Sequence, residues 1–292
     1  QPLHISWRVY LVDILFRSGS KHSNHEDDFT ETVKDITELI RNHYNAEVPI
    51  MVVCDSGFLD DKAFTYFEDE LEIGYIIIGK MYKDIRDYIE KTDANNYKEF
   101  KGNGIWNYLE FGNKLKSWNK IRRAIFTRLT TEKSGQLVLD FARPDTILYT
   151  NIGQDLSITE QLINAGQEDL LTADSIISLA HKRGKDELIH RSIKELATKE
   201  QLPFKNMEMN RAYYYLLGIS HFLFESYKRE VAYDVVSIVS YPNTFRRILI
   251  DFAVKIVSHS GEIILKVTKE IKDRLKIYDL WELCQNPPPI FA

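Results

Sequence analysis

Ile50-Met51-Val52-Val53-Cys54-Asp55-Ser56-Gly57 is a short uninterrupted apolar run that ends on an acid and two turn-forming residues. Such a run, bounded by turn signals, reads as a strand buried on both faces. A helix pattern follows over about 61–71, and Gly74-Tyr75-Ile76-Ile77-Ile78-Gly79 reads as another buried strand. Upstream, the β-branched and aromatic stretches 2–7 and 9–16 read as neighbouring strands. After the turn-like Ser18-Gly19-Ser20, Phe29, Val33, Ile36 and Ile40 recur at the spacing of an amphipathic helix. Strands alternating with helices in this way imply an α/β sheet covered by helices.

From about 95 to 152 the period changes. Residues 106–111, 124–130, 136–141 and 146–151 read as strands, with Lys133-Ser134-Gly135 as a hairpin turn. Helix returns at Ser157, whose hydroxyl and Glu160 three residues on have the pattern of a capping box. A long helical stretch is expected over 173–199. Pro203 breaks it, and an aromatic, apolar helix follows over 210–228. Beyond Pro242 we expect a helix over 245–258 and a short strand over 262–267, with Pro287-Pro288-Pro289 closing the chain.

The chain has 292 residues, 44% of them hydrophobic and 28% charged, which suits a folded protein with a sizeable core. Its longest apolar runs fall far short of the roughly 18 residues that span a bilayer, so no membrane partner is expected. Cys54 and Cys284 lie far apart and neither belongs to a CxxC pair, which excludes a disulfide framework and a thiolate zinc site and favours a reducing, cytoplasmic setting. A net charge of −5 argues against coating nucleic acid through bulk charge. The charge is nevertheless segregated. Lys114, Lys116, Lys120, Arg122, Arg123, Arg128 and Lys133 face only Glu132 within their segment, whereas 55–110 is acidic. Such a division suits a protein that holds a polyanion on one surface and divalent metal on another, although solvated faces of ordinary elements would look the same.

On an uninterrupted helix through 181–196, with Arg183 at zero and about 100° per residue, Glu187 falls near 40° and Lys194 near 20°. Leu188, Ile189, Ile193 and Leu196 occupy the opposite arc. By itself this is a surface ion-pair stripe, Arg183 and Glu187 being an i,i+4 pair. Asp55 changes its meaning, because an acid at the carboxyl end of a buried α/β strand stands where such sheets place ligands and metals. Two carboxylates with Arg and Lys beside one of them can hold hard divalent cations and meet a phosphodiester.

Val53-Cys54-Asp55-Ser56-Gly57-Phe58, followed after the β-rich stretch by Arg183, Glu187 and Lys194, resembles the DDE transposases of bacterial insertion sequences. Their signature carries a Tyr where this chain has Ala180, next to His181. Similarity continues through Glu200-Gln201-Leu202-Pro203-Phe204-Lys205 and Thr244-Phe245-Arg246-Arg247.

The resemblance implies an α/β fold: an RNase H-like mixed sheet with flanking helices and a β-rich insertion, followed by a helical C-terminal region. The implied division is a first part of the core over 1–94, the insertion over 95–153, the second part with the Glu-bearing helix over 154–205, and the helical region over 206–292. It further implies metal-dependent phosphodiester hydrolysis and strand transfer at element ends, with two Mg²⁺ or Mn²⁺ ions held by Asp, Asp and Glu. Asp55 and Glu187 stand as catalytic and metal-binding residues, and Arg183 and Lys194 as phosphate contacts. His190, Arg123, Trp106 and Trp118 are further candidate DNA contacts, the tryptophans as holders of a flipped base. The family's first Asp belongs to a strand before the region matched by Gln1, so the chain is expected to be N-terminally incomplete and its enzymatic status open. Asp13, the only nearby carboxylate on a strand, is not expected to substitute. Expected partners are double-stranded DNA at terminal inverted repeats and at the target, with a homodimer allowed in the complex and a bacterial nucleoid-associated location when acting. The alternatives are a catalytically dead DNA-binding remnant and a related RNase H-like metal nuclease without strand transfer.

Overall fold

β3 (Met51–Cys54) and β4 (Gly74–Ile78) pair in parallel, Val53 opposite Ile76, as the two apolar runs require. The structure is a computed structural model that describes residues 2–16, 28–138, 145–183, 186–197, 202–252, 254–259 and 261–286. The expected turn at Ser18-Gly19-Ser20, residues 139–141 of the expected strand 136–141, residues 198–201 and the final prolines lie outside them. Two units divide the chain: residues 20–183, and residues 1–19 together with 184–292.

In the contiguous unit, β3 and β4 begin a six-stranded mixed sheet. β5 (Lys98–Gly102), β6 (Gly104–Asn113), β7 (Arg122–Thr131) and β8 (Asp145–Thr150) complete it in the order β3-β4-β8-β7-β6-β5. β8 runs antiparallel to both β4 and β7, with Ile77 opposite Tyr149 and Ile125 opposite Leu148. The β-rich stretch therefore continues the sheet begun by the apolar strands. Its hairpin turn at Lys133-Ser134-Gly135 is present, Gly135 adopting φ +86° and Glu132 N–H donating to Gln136 O.

The alternation of a strand sorts residues onto two faces. Ile76, Ile125 and Leu148 pack with Ile158 and Leu162 of α4 (Leu156–Asn164) and with Ile176, Ile177 and Ala180 of α5 (Ala173–Lys182). Tyr75 stacks on Phe64 of α2 (Asp61–Thr65), whereas Trp118 meets Phe64 and Tyr149 edge-on. Phe29 of α1 (Asp28–His43) packs against Phe58 and Phe67. A π-helical turn, Tyr66–Glu70, follows α2 directly. The sequence assigned no element near 83–91, where α3 (Lys83–Lys91) buries Ile85 and Ile89, one turn apart.

In the other unit, β1 (Pro2–Trp7) and β2 (Tyr10–Phe16) form an antiparallel hairpin. Leu11 and Ile14 pack with Ile189 and Ile193 of α6 (Asp186–Leu196) and Leu217 of α7 (Met207–Glu230). α8 (Pro242–Leu249) sets Phe245 against Phe224 and Tyr227. A hairpin of β9 (Lys255–His259) and β10 (Glu262–Lys266) follows, then α9 (Lys269–Arg274) and α10 (Ile277–Gln285). The chain is thus mixed α/β, its six-stranded sheet with flanking helices consistent with an RNase H-like arrangement followed by helices.

Local expectations fail where a competing interaction wins. Asp155, not Ser157, caps α4: its carboxylate accepts from Ser157 N–H at 2.9 Å, which places Ser157 inside the helix. Within the expected stretch 173–199 the structure describes α5, which ends at Lys182, and α6, which begins at Asp186; residues 184–185 and 198–199 lie outside the described residues. The expected helix over 245–258 stops at Leu249. Ile256 and Val257, β-branched, pair with Leu265 and Ile264 across the turn that Gly261 makes at φ +84°.

Candidate functional site

β3 delivers Asp55 to the carboxyl end of the sheet's edge strand, where a turn of 3₁₀ helix, Ser56–Phe58, begins. Asp55 caps that turn, its Oδ1 accepting from Gly57 N–H at 2.9 Å. Its Oδ2 accepts from Arg183 Nη2 at 3.2 Å, joining positions 128 residues apart in sequence. Arg183 stands at the C-terminal cap of α5, which packs on the sheet through Ile176, Ile177 and Ala180. The carboxylate is 45% and the guanidinium 32% exposed, so both reach solvent and can meet a ligand. Beneath them Cys54 is buried, and burial, with the Asp55 charge beside it, pushes its thiol up to about 12. A thiol held protonated there is a poor nucleophile at neutral pH.

Asp55 offers hard oxygens, the donor type that suits Mg²⁺ or Mn²⁺. One oxygen is engaged by Gly57 and the other by Arg183, so a cation and the guanidinium compete for Oδ2. Among the described residues no group of three or more His, Cys, Asp or Glu is placed to hold a metal. Glu187 lies in the first turn of α6, and its side chain lies outside the described set.

The remaining expected contacts scatter. Lys194 lies on α6 and lines an open cavity with Arg191, Glu195 and Asn243. His190 meets His4 of β1, with Nδ1 atoms 2.8 Å apart. Trp118, 4% exposed, is a core residue. Trp106 lies against the His181 ring at 4.4 Å, and its buried indole Nε1 has no hydrogen-bond partner among the described residues. Burial lowers the His181 pKa below the ordinary histidine value, favouring a neutral ring. Arg123 donates to Glu110 Oε2, Ile152 O and Leu171 O, tying β7 to β6 and to the segment before α5.

The same fate meets most of the basic segment. Lys120 pairs with Glu68 and Asp69, and Arg128 with Asp145. Arg122, 2% exposed, bonds Asp61 at 2.7 Å, Glu68 at 3.1 Å and the Tyr75 hydroxyl at 3.1 Å. These arginines and lysines neutralise acids of their own unit. The sequence showed their charge but not the carboxylates of α2 and the π-turn that fold against them. Arg191 escaped the sequence reading altogether, although its i,i+4 spacing to Glu195 was visible.

The six-stranded mixed sheet with its flanking helices defines an α/β unit that sets Asp55 beyond an edge strand beside Arg183. The sequence matches the Transposase DDE domain group 1 family over residues 1–286, and the chain belongs to it. Its general function is therefore that of a transposase, with DNA as substrate, and the family generally uses divalent metal ions. No curated protein matches the chain. Among the described residues no helix is long and apolar enough to cross a membrane.

Proposed function

We propose that the chain serves metal-dependent phosphodiester hydrolysis and strand transfer at the ends of a bacterial insertion sequence, with Asp55 and Glu187 as the acids that hold divalent metal. The observation that carries this reading is the Asp55–Arg183 pair, which brings together two residues of the signature that the sequence separates by 128 positions. When bound, divalent cations supply a Lewis acid at the scissile phosphate and an activated water or 3′-hydroxyl. Arg183 offsets the Asp55 charge in the absence of ligand and offers its guanidinium to a strand phosphate, for which its planar donors are suited. Lys194 adds a point charge from α6.

The test uses the full-length gene product and duplexes carrying the element's terminal inverted repeat. Asp55→Asn and Glu187→Gln should abolish Mg²⁺- or Mn²⁺-dependent cleavage while DNA binding persists, because the acids hold metal rather than phosphate. Cleavage at the unaltered rate in either variant refutes the assignment.

A further inference from the structure

β9 and β10 form a two-stranded hairpin, and among the described residues no other strand pairs with either of its outer edges. Neither strand contains proline, and the middle of β10 is Ile263-Ile264-Leu265. Ile256 and Ile263 are 67% and 77% exposed. Two strands standing alone are marginally stable in water, and an apolar strand with a free row of N–H and C=O groups is a template for another strand. The register settles which groups are free. His259 stands opposite Glu262, Val257 opposite Ile264 and Lys255 opposite Lys266. A two-residue connection makes its flanking pair, His259 and Glu262, a hydrogen-bonded one, and bonded and non-bonded pairs then alternate along the hairpin. Residues 262, 264 and 266 therefore turn their backbone groups to β9, and residues 263 and 265 turn theirs to the outer edge.

Charge selects the strand that fits there. Glu262 and Lys266, both exposed, bound the apolar middle of β10, and within the hairpin Lys266 faces Lys255, a like-charge pair that an acid on its other side would relieve. β10 of a second copy, running antiparallel, supplies that acid. With Ile264 opposite itself on a two-fold axis, Ile263 stands opposite Leu265 of the second copy, so the outward backbone groups of both strands meet in step. In the same register Glu262 of each copy faces Lys266 of the other. These two reciprocal pairs fall at non-hydrogen-bonded positions, where side chains lie closest. A shift of two residues in either direction loses both directly opposed pairs, and in-register parallel pairing sets like charges together. β9 offers no such match: it carries no acid, and antiparallel pairing about Val257 would set Lys255 against His259.

We propose that two copies of the chain associate through the outer edges of their β10 strands, forming a four-stranded antiparallel sheet with its two-fold axis at Ile264. The contact uses each β10 edge once, so assembly stops at two. It requires no DNA and stands apart from the reading above. Five residues per copy bury far less than the about 1,600 Å² of a standard interface, so the association is weak and is read at high protein concentration. Sedimentation velocity of the full chain from about 5 to 300 µM should show monomer passing to dimer. Glu262→Lys and Lys266→Glu each turn both attractive pairs into like-charge pairs and should weaken association about tenfold. An equimolar mixture of these two variants should associate as tightly as the unaltered chain, because every charge then meets its opposite, and that rescue separates a lost contact from a folding defect. Ile263→Pro, which removes an outward N–H of β10, should abolish the dimer, whereas Ile256→Pro, the same change on the outer edge of β9, should leave it intact. A chain that stays monomeric at the upper concentration, or a mixture that fails to associate, overturns the inference. Loss of the dimer in Ile256→Pro alone would place the contact on β9 and overturn it too, and a monomeric chain that loses duplex binding in Lys266→Glu would assign the hairpin to nucleic acid instead.

Discussion

Replacing Arg122 by Met separates a structural from a nucleic-acid role for the basic segment. The side chain is 2% exposed, and Met retains much of its stem against Phe64 and Trp118, whose ring centroids lie 4.5 and 5.2 Å from the guanidinium carbon. What is lost is the positive charge between Asp61 and Glu68, whose side chains are only 13% and 7% exposed. Removing one member of a buried ion pair leaves the other charge without compensation, at about 3–5 kcal/mol. Glu68 keeps the Tyr75 hydroxyl at 2.6 Å and Lys120 at 3.3 Å, which places the expected loss near the lower bound, about 3 kcal/mol. For a unit the length of residues 20–183, that corresponds to a midpoint lowered by about 6–12 °C. Urea titration followed by circular dichroism and tryptophan emission measures it. Adding Glu68→Gln to Arg122→Met should recover part of the loss, since the stranded charge is removed with its partner. A loss under 1 kcal/mol, or reduced DNA affinity at unchanged stability, would refute the reasoning and return Arg122 to the phosphate-binding role its sequence neighbourhood suggests.

Acidification should destabilise the unit that contains β1 and α7. Burial lowers His4 and His221 from 6.5 to about 4, so the unfolded chain takes up protons between these values while the native form does not. Stability is complete above pH 6.5 and falls toward pH 4, by about 3 kcal/mol for one histidine. The total stays below twice that, because part of the His4 shift comes from charge on His190 and His221. Denaturant midpoints measured from pH 7 to 4.5 should fall less steeply in His221→Leu, and equal steepness would exclude the cluster as the cause. Asp55→Asn should change stability by no more than about 1 kcal/mol: the amide oxygen still caps Gly57, and the lost Arg183 pair is partly solvated. A larger drop in thermal midpoint would make Asp55 a structural acid. Gly104→Ala should cost about 1–3 kcal/mol, because φ is +107° and a Cβ would stand 2.5 Å from Thr131 O. An unchanged unfolding midpoint would contradict that geometry.

Apolar runs and turn residues placed β3, β4, β6, β7 and β8 within a residue or two of their observed positions, because strands covered on both faces leave little choice of pattern. The acid after Cys54 could likewise be read as lying at a strand end. Pairing partners were less accessible. Nothing local to Arg122 or Arg123 reveals that carboxylates from residues 61, 68 and 110 fold against them, so the run of positive charge could be read only as a solvated face or a surface that binds a polyanion. On α6 the helical wheel holds in part: Ile189 and Ile193 are buried as expected, whereas Leu188, at the edge of the same arc, is exposed. Trp118 shows the limit for aromatic residues, whose stacking on a base or on Tyr149 is decided by tertiary neighbours alone.

The interrupted layout of the unit formed by residues 1–19 and 184–292 bears on synthesis. Leu11 and Ile14 leave the ribosome well before the side chains that cover them, Ile189, Ile193 and Leu217, which are encoded about 200 residues later. At about 5–20 residues per second, the hairpin waits about 10–40 s with its apolar face uncovered. The intervening 20–183 unit is contiguous and can complete its sheet within that interval. Nascent chains stalled before Leu217 should therefore carry a protease-resistant sheet and a protease-sensitive β1–β2 hairpin, and the hairpin is the segment most in need of chaperone cover.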